Sequence, residues 1–147
     1  MKPNILVAFL ILGFIANAFG GDDPPQTGVI LLNHEKVAAA FAKGAPLVAT
    51  NNFKLQAGHR TGPGEVEIHE HDTDIFYIIA GNATFVTGGI AEGAKVIAAG
   101  ESRAREIKGG EERQLTRGDI IIIPTGVPHW FKEVNGAFDY FVVKVAK

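Results

Sequence analysis

The apolar positions fall into three regimes along the chain. From Ile5 to Ile15 they are almost unbroken, Lys2 is the only charge in the first twenty residues, and Ala16-Asn17-Ala18 follows with small residues where a signal peptidase reads. A membrane-spanning helix needs roughly 20 apolar residues, and this run stops at Asn17. Residues 1–20 are therefore expected to be a secretory signal peptide, cut after Ala18 or Gly20. Residues 21–28, rich in Gly, Asp and Pro, read as a linker to one domain at 29–147.

The second regime is brief. Asn33 is a suitable N-cap, His34 to Lys43 is Ala-rich, and Gly44 is a suitable stop, which together predict a short helix. The third regime fills the rest of the chain. Short apolar runs alternate with Gly and Pro turns at 47–55, 65–71, 74–80, 83–87, 95–99, 112–116, 119–123, 129–133 and 137–145. Many short strands spaced in this way predict an all-β sandwich or barrel. Ile120 to Ile123 is apolar at every position. In the last strand, Phe138, Tyr140 and Val142 line one face while Phe141, Val143 and Val145 line the other. Both faces of these strands are expected to be buried. A second copy of the chain is the simplest cover for the outer one, so a homodimer is expected. Gly88 to Gly110, rich in Gly and charge, reads as a solvated loop, or as a hairpin or lid near a barrel mouth.

Composition narrows the function classes. The formal net charge is −2 with no basic run, which gives no reason to expect nucleic acid or anionic lipid as a partner. With no cysteine, disulfides and thiolate metal sites are excluded, and the exported domain must rely on its apolar core. No serine or cysteine nucleophile motif is visible.

Polar residues on the strands carry the candidate chemistry. Glu65, Glu67, His69 and His71 alternate, so a strand over 65–71 would place all four on one face. Buried charges must be paired or must coordinate a metal, and two His with two Glu on one face suit a divalent ion. The segment Gly118 to Glu133, GDIIIIPTGVPHWFKE, resembles the second motif of the cupin family. Gly118, Pro124, Gly126 and His129 fit its spacing, and Glu133 stands where the family has Asn. Residues 62–81 resemble the first motif, whose latter half matches Asp74, with Asp for Glu, and Gly81.

The resemblance runs from Gly62 to about Val145. It implies a cupin jelly-roll barrel with a short N-terminal helix, holding one divalent transition-metal ion (Fe, Mn, Ni or Zn). Two ligand registers follow. The favoured one uses His69, His71, Asp74 and His129, and leaves Glu67 beside the metal as a general base. The other replaces His71 by Glu67, which restores the family's spacing to Asp74. By strand alternation, Phe76, Ile78, Val127 and Phe131 would line an apolar substrate pocket, Glu133 would follow Phe131 inward, and Tyr77 and Trp130 would face away. Arg60 could bind a substrate carboxylate but, like His34 and His59, is expected at the surface. The functional expectation is a secreted or periplasmic metal-dependent enzyme of oxygenase or isomerase type acting on a small polar molecule. The alternative is a non-catalytic small-ligand or metal-binding protein.

Overall fold

The computed structural model describes residues 28–147. The expected signal peptide and nearly all of the expected linker lie outside the described residues. Within them the chain forms one helix, α1 (His34–Phe41), and eleven strands: β1 (Ala45–Ala49), β2 (Phe53–Arg60), β3 (Val66–His69), β4 (Asp72–Thr87), β5 (Ile90–Glu92), β6 (Lys95–Ala98), β7 (Glu101–Ala104), β8 (Glu106–Lys108), β9 (Glu111–Thr116), β10 (Ile120–Ile123) and β11 (His129–Ala146). None of the described helices is long and apolar enough to cross a membrane. Asn33 caps α1 as expected, its side chain accepting from the Lys36 amide at 3.0 Å. Ala40 of α1, with Leu47 and Ala57, forms a small apolar cluster against Leu32, Phe41 and Phe141 on the outside of the sheet.

The architecture is an all-β jelly roll built around two long antiparallel strands. β4 and β11 pair along nearly their whole lengths, from His129 opposite Thr87 to Ala146 opposite Asp72. On its far side β11 pairs with β2 and, at His129, with β3, while β4 pairs with β9 and β10. The apolar runs 74–80 and 83–87 are thus one strand, as are 129–133 and 137–145. Gly81 joins the halves of β4 with φ +84°, and a Cβ there would stand 2.3 Å from the Ala137 carbonyl oxygen. Only glycine combines that conformation with that approach.

The interior is aromatic. Phe76, Phe85, Phe131, Phe138 and Tyr140 are buried in one cluster with Ile78, Leu115, Ile123 and Val142. Most of their rings meet edge-on or tilted, at 4.6 Å for Phe85–Phe131 and 5.8 Å for Phe76–Phe85, while Phe131 and Tyr140 stack at 5.1 Å. Glu133 departs from expectation. A bulge between Phe131 and Glu133 inserts one residue into β11, so Glu133 turns out to solvent and Val134 takes the core-facing place.

Two further expectations meet the structure. The single chain does not bury Ile120 and Ile122, which are 65% and 59% exposed, because β10 pairs only with β4 and no described residue covers the outer face, for which a second copy is the expected cover. Nor are residues 88–110 an open loop. β5 pairs with β8, and β6 and β7 extend the main sheet from β3. β7 reads Glu-Ser-Arg-Ala, with no large apolar residue to signal a strand; its pairing with β3 holds it in place.

Candidate metal centre

The register between β11 and β3 builds the site. Glu67 and His69 occupy alternate positions of β3, and His129, the first residue of β11, lies directly opposite Glu67. The Pro124–Gly126 turn feeds His129 into that place. Its fold-back is held by the Gly126 amide donating to the His69 carbonyl at 2.7 Å and by the Gly88 amide donating to the Pro128 carbonyl at 2.9 Å. Glu67, His69 and His129 consequently offer ligand atoms all within 4.8 Å of one another.

Each imidazole is oriented by its other nitrogen. His69 Nδ1 meets Glu101 Oε2 at 2.6 Å, and His129 Nδ1 meets the Val127 carbonyl at 3.1 Å. Both partners are acceptors, so Nδ1 donates in each case and a neutral ring carries its lone pair on Nε2. The two Nε2 atoms are buried and have no hydrogen-bond partner among the described residues. Glu67 Oε2 lies 3.3 Å from His69 Nε2, a close contact without hydrogen-bond geometry. Two buried lone pairs converging beside a carboxylate fit a divalent cation bound by nitrogen and oxygen. Orienting each ligand imidazole through its second nitrogen is common in metal sites.

Without an ion His69 carries a second proton, which a metal must displace before Nε2 can ligate it. Burial opposes ionisation of Glu67, but contact with His69 and the charges of Arg103, His129 and Arg60 prevail and hold its carboxyl well below the usual carboxylate range. Burial likewise opposes protonation of His69, yet its contacts with Glu101 and Glu67 raise it to about 9. Burial lowers His129 below the ordinary imidazole value, only partly offset by Glu67 and Asp74.

The other expected residues divide. Asp74 is buried beside the group, its Oδ2 lying 3.4 Å from His69 Nε2 and 3.6 Å from His129 Nε2, but both its oxygens contact Lys144 Nζ, at 2.9 and 2.7 Å. His71 is exposed and outside the group, its ring packed over Gly100. The physical reason is that β3 ends at His69. The Glu70 amide turns away to the Gly100 carbonyl, so the strand alternation never reaches residue 71. The geometry therefore brings Glu67 rather than His71 together with His69 and His129, and leaves Asp74 paired with Lys144 beside them. Phe76, Ile78 and Phe131 are buried in the aromatic core, with Val127 half-buried against it; the Phe76 and Phe85 rings each lie 6.1 Å from that of His129. They form an apolar wall behind the imidazole. Tyr77 faces outward as expected.

Sequence reasoning missed four polar neighbours. Glu101 and Arg103 come from the segment read as a loop. Arg60, expected at the surface, donates from Nε to the Tyr140 hydroxyl at 3.1 Å, lies 4.8 Å over the Phe131 ring and reaches Glu67 at 3.6 Å. Lys144 is buried opposite Asp74 on β11. Period two could have signalled Arg60 and Lys144, since Arg60 pairs with Phe138 and Lys144 is in phase with Tyr140 and Val142. His59, also expected at the surface, is half-buried with its Nδ1 2.6 Å from Asp139. His34 is exposed.

Comparison with known proteins places this geometry. No curated protein matches the chain by sequence. A protein from Bacillus halodurans is similar in structure, with TM-score 0.60 and 12% identity over 84% of this chain and 86% of that one. An uncharacterised protein with a double-stranded β-helix domain from Klebsiella pneumoniae gives TM-score 0.54 and 18% identity over 86% and 92%. The DMSP lyase DddQ from Ruegeria pomeroyi gives TM-score 0.47 and 19% identity over 67% of this chain, which spans only 41% of that protein. At such identities the first two likenesses speak for the fold alone. The sequence profile of the family described as Cupin matches residues 22–147. The chain belongs to the cupin family.

Proposed function

We propose that this cupin binds one divalent transition-metal ion through Glu67, His69 and His129 and presents it to a small polar molecule outside the cytoplasm. The observation that carries the reading is the pair of buried, unpartnered Nε2 atoms beside Glu67. A metal bound there would supply Lewis-acid or redox chemistry at its open positions. The chain's own residues supply the surroundings. Glu101 and the Val127 carbonyl fix the two imidazoles, Phe76 and Phe85 exclude water behind His129, and Arg60 and Arg103 keep Glu67 ionised. Arg60, held by Tyr140 and Phe131, is also placed to hydrogen-bond an oxygen-bearing ligand near Glu67. An oxygenase or isomerase acting on a small polar substrate is the enzymatic form of this reading. The apolar run from Ile5 to Ile15, read as part of a signal peptide, supports a secreted or periplasmic location. The open apolar face around Ile120 and Ile122 supports a homodimer.

A non-catalytic metal- or ligand-binding protein is the second reading. The observation that favours it is the filled interior. Phe76, Ile78 and Phe131, expected to wall a pocket, pack on one another and on Phe85 and Tyr140. The test is water exchange at the Mn(II)-loaded site by proton relaxation, with O₂ uptake by the Fe(II) form across diols, catechols and keto acids. Exchangeable water with substrate-dependent uptake supports the enzyme. A site without exchangeable water and without uptake supports the binding protein.

A further inference from the structure

Lys144 is a buried cation that the metal reading does not use. It lies directly across the β4–β11 ladder from Asp74, and its ammonium contacts both oxygens of that carboxylate, at 2.9 and 2.7 Å. Both residues are buried, and among the described residues the ammonium has no other hydrogen-bond acceptor. Asp74 is the residue that the resemblance to the first motif would make a metal ligand. Here it already has a counter-ion of its own. A divalent ion that took Asp74 would either strip a buried ammonium of its partner or share one carboxylate with it, bringing two cations together where water cannot screen them. Both arrangements are costly in a buried site.

We propose that Lys144 reserves Asp74 as its own counter-ion, so that the ion is held by Glu67, His69 and His129 alone. This inference rests on the metal-binding reading above. Two imidazoles and one carboxylate leave about three positions open on a six-coordinate ion, where a fourth protein ligand would leave about two. Lys144 is thus a positioning residue. Through Asp74 it sets how much of the ion faces a ligand.

The test uses the full mature protein loaded with Mn(II), with affinity measured by titration and exchangeable water by proton relaxation. The double variant Asp74→Asn/Lys144→Met removes the pair together and leaves no unpaired charge. It should bind Mn(II) within about threefold of wild type and keep the same relaxation enhancement, because neither residue touches the ion. Lys144→Met alone frees Asp74 to join the ion. It should bind about tenfold or more tightly, the scale on which neighbouring groups tune metal affinity, with a lower relaxation enhancement. A double variant that loses the ion as fully as His129→Ala would make Asp74 a ligand and overturn this inference alone. Wild-type protein that takes up no ion would overturn the proposed function and this inference with it.

Discussion

His69 and His129 each spend Nδ1 on an acceptor and keep Nε2 buried and unpartnered, while Glu67 stands between them. His71, two residues beyond His69, packs over Gly100 in the turn before β4. Glu67→Gln should therefore weaken metal binding far more than His71→Ala, by about tenfold or more against little change, in parallel titrations. Equal losses would return His71 to the ligand set. Protonation gives a second check. In the metal-free protein His69 holds its proton up to about 9, against an ordinary value of 6.5. Because the folded value is raised, the stabilisation from its pairing with Glu101 and Glu67 is complete below pH 6.5 and is lost as pH rises through about 9. The Tm of metal-free protein should fall across that window, and Glu101→Gln should flatten the fall. The same proton must leave when an ion binds, so metal uptake near neutral pH should release protons, read as a dependence of binding heat on buffer ionisation.

At the scale of elements, the long β4–β11 ladder sets the positions on which the site depends. It bends at Gly81, where φ is +84° and the Ala137 carbonyl leaves no room for a Cβ. Gly81→Ala should cost about 1–3 kcal/mol for the backbone conformation alone, and more for the contact, in denaturant unfolding. A change below about 0.5 kcal/mol, the usual range of a plain surface substitution, would mean the bend is not constrained as described. The elements also show what the sequence made legible. The second motif was readable because Gly118, Pro124, Gly126 and His129 are turn formers and a ligand at fixed spacing, and α1 was readable from its cap. The end of β3 was not. Residues 65–71 alternate smoothly, and only the long-range bond from the Glu70 amide to the Gly100 carbonyl shows that His71 has left the strand. β7 was equally hidden, because Glu101, Ser102, Arg103 and Ala104 gain their strand conformation from pairing with β3. The bulge after Phe131 likewise reversed the facing of Glu133 with no sequence signal beforehand.

At the scale of the whole molecule, the aromatic core fills the barrel, while the outer face of β10 stays apolar and exposed among the described residues. Ile120, Ile122 and Tyr77 share the outer face of β10 and β4, with Ile120 opposite Tyr77 and Ile122 opposite Ile75. If a second copy covers this face, sedimentation should give the mass of two chains, and Ile120→Lys/Ile122→Lys should give that of one without changing metal content. A wild-type monomer at all concentrations would remove the dimer and leave the metal site untouched. The central claim concerns the ion itself. Elemental analysis of the mature protein, purified and then incubated with Fe(II), Mn(II), Ni(II) or Zn(II), is expected to find about one ion per chain, most of it lost in His129→Ala. Wild-type protein without bound metal, or His129→Ala retaining a full complement, would contradict the account.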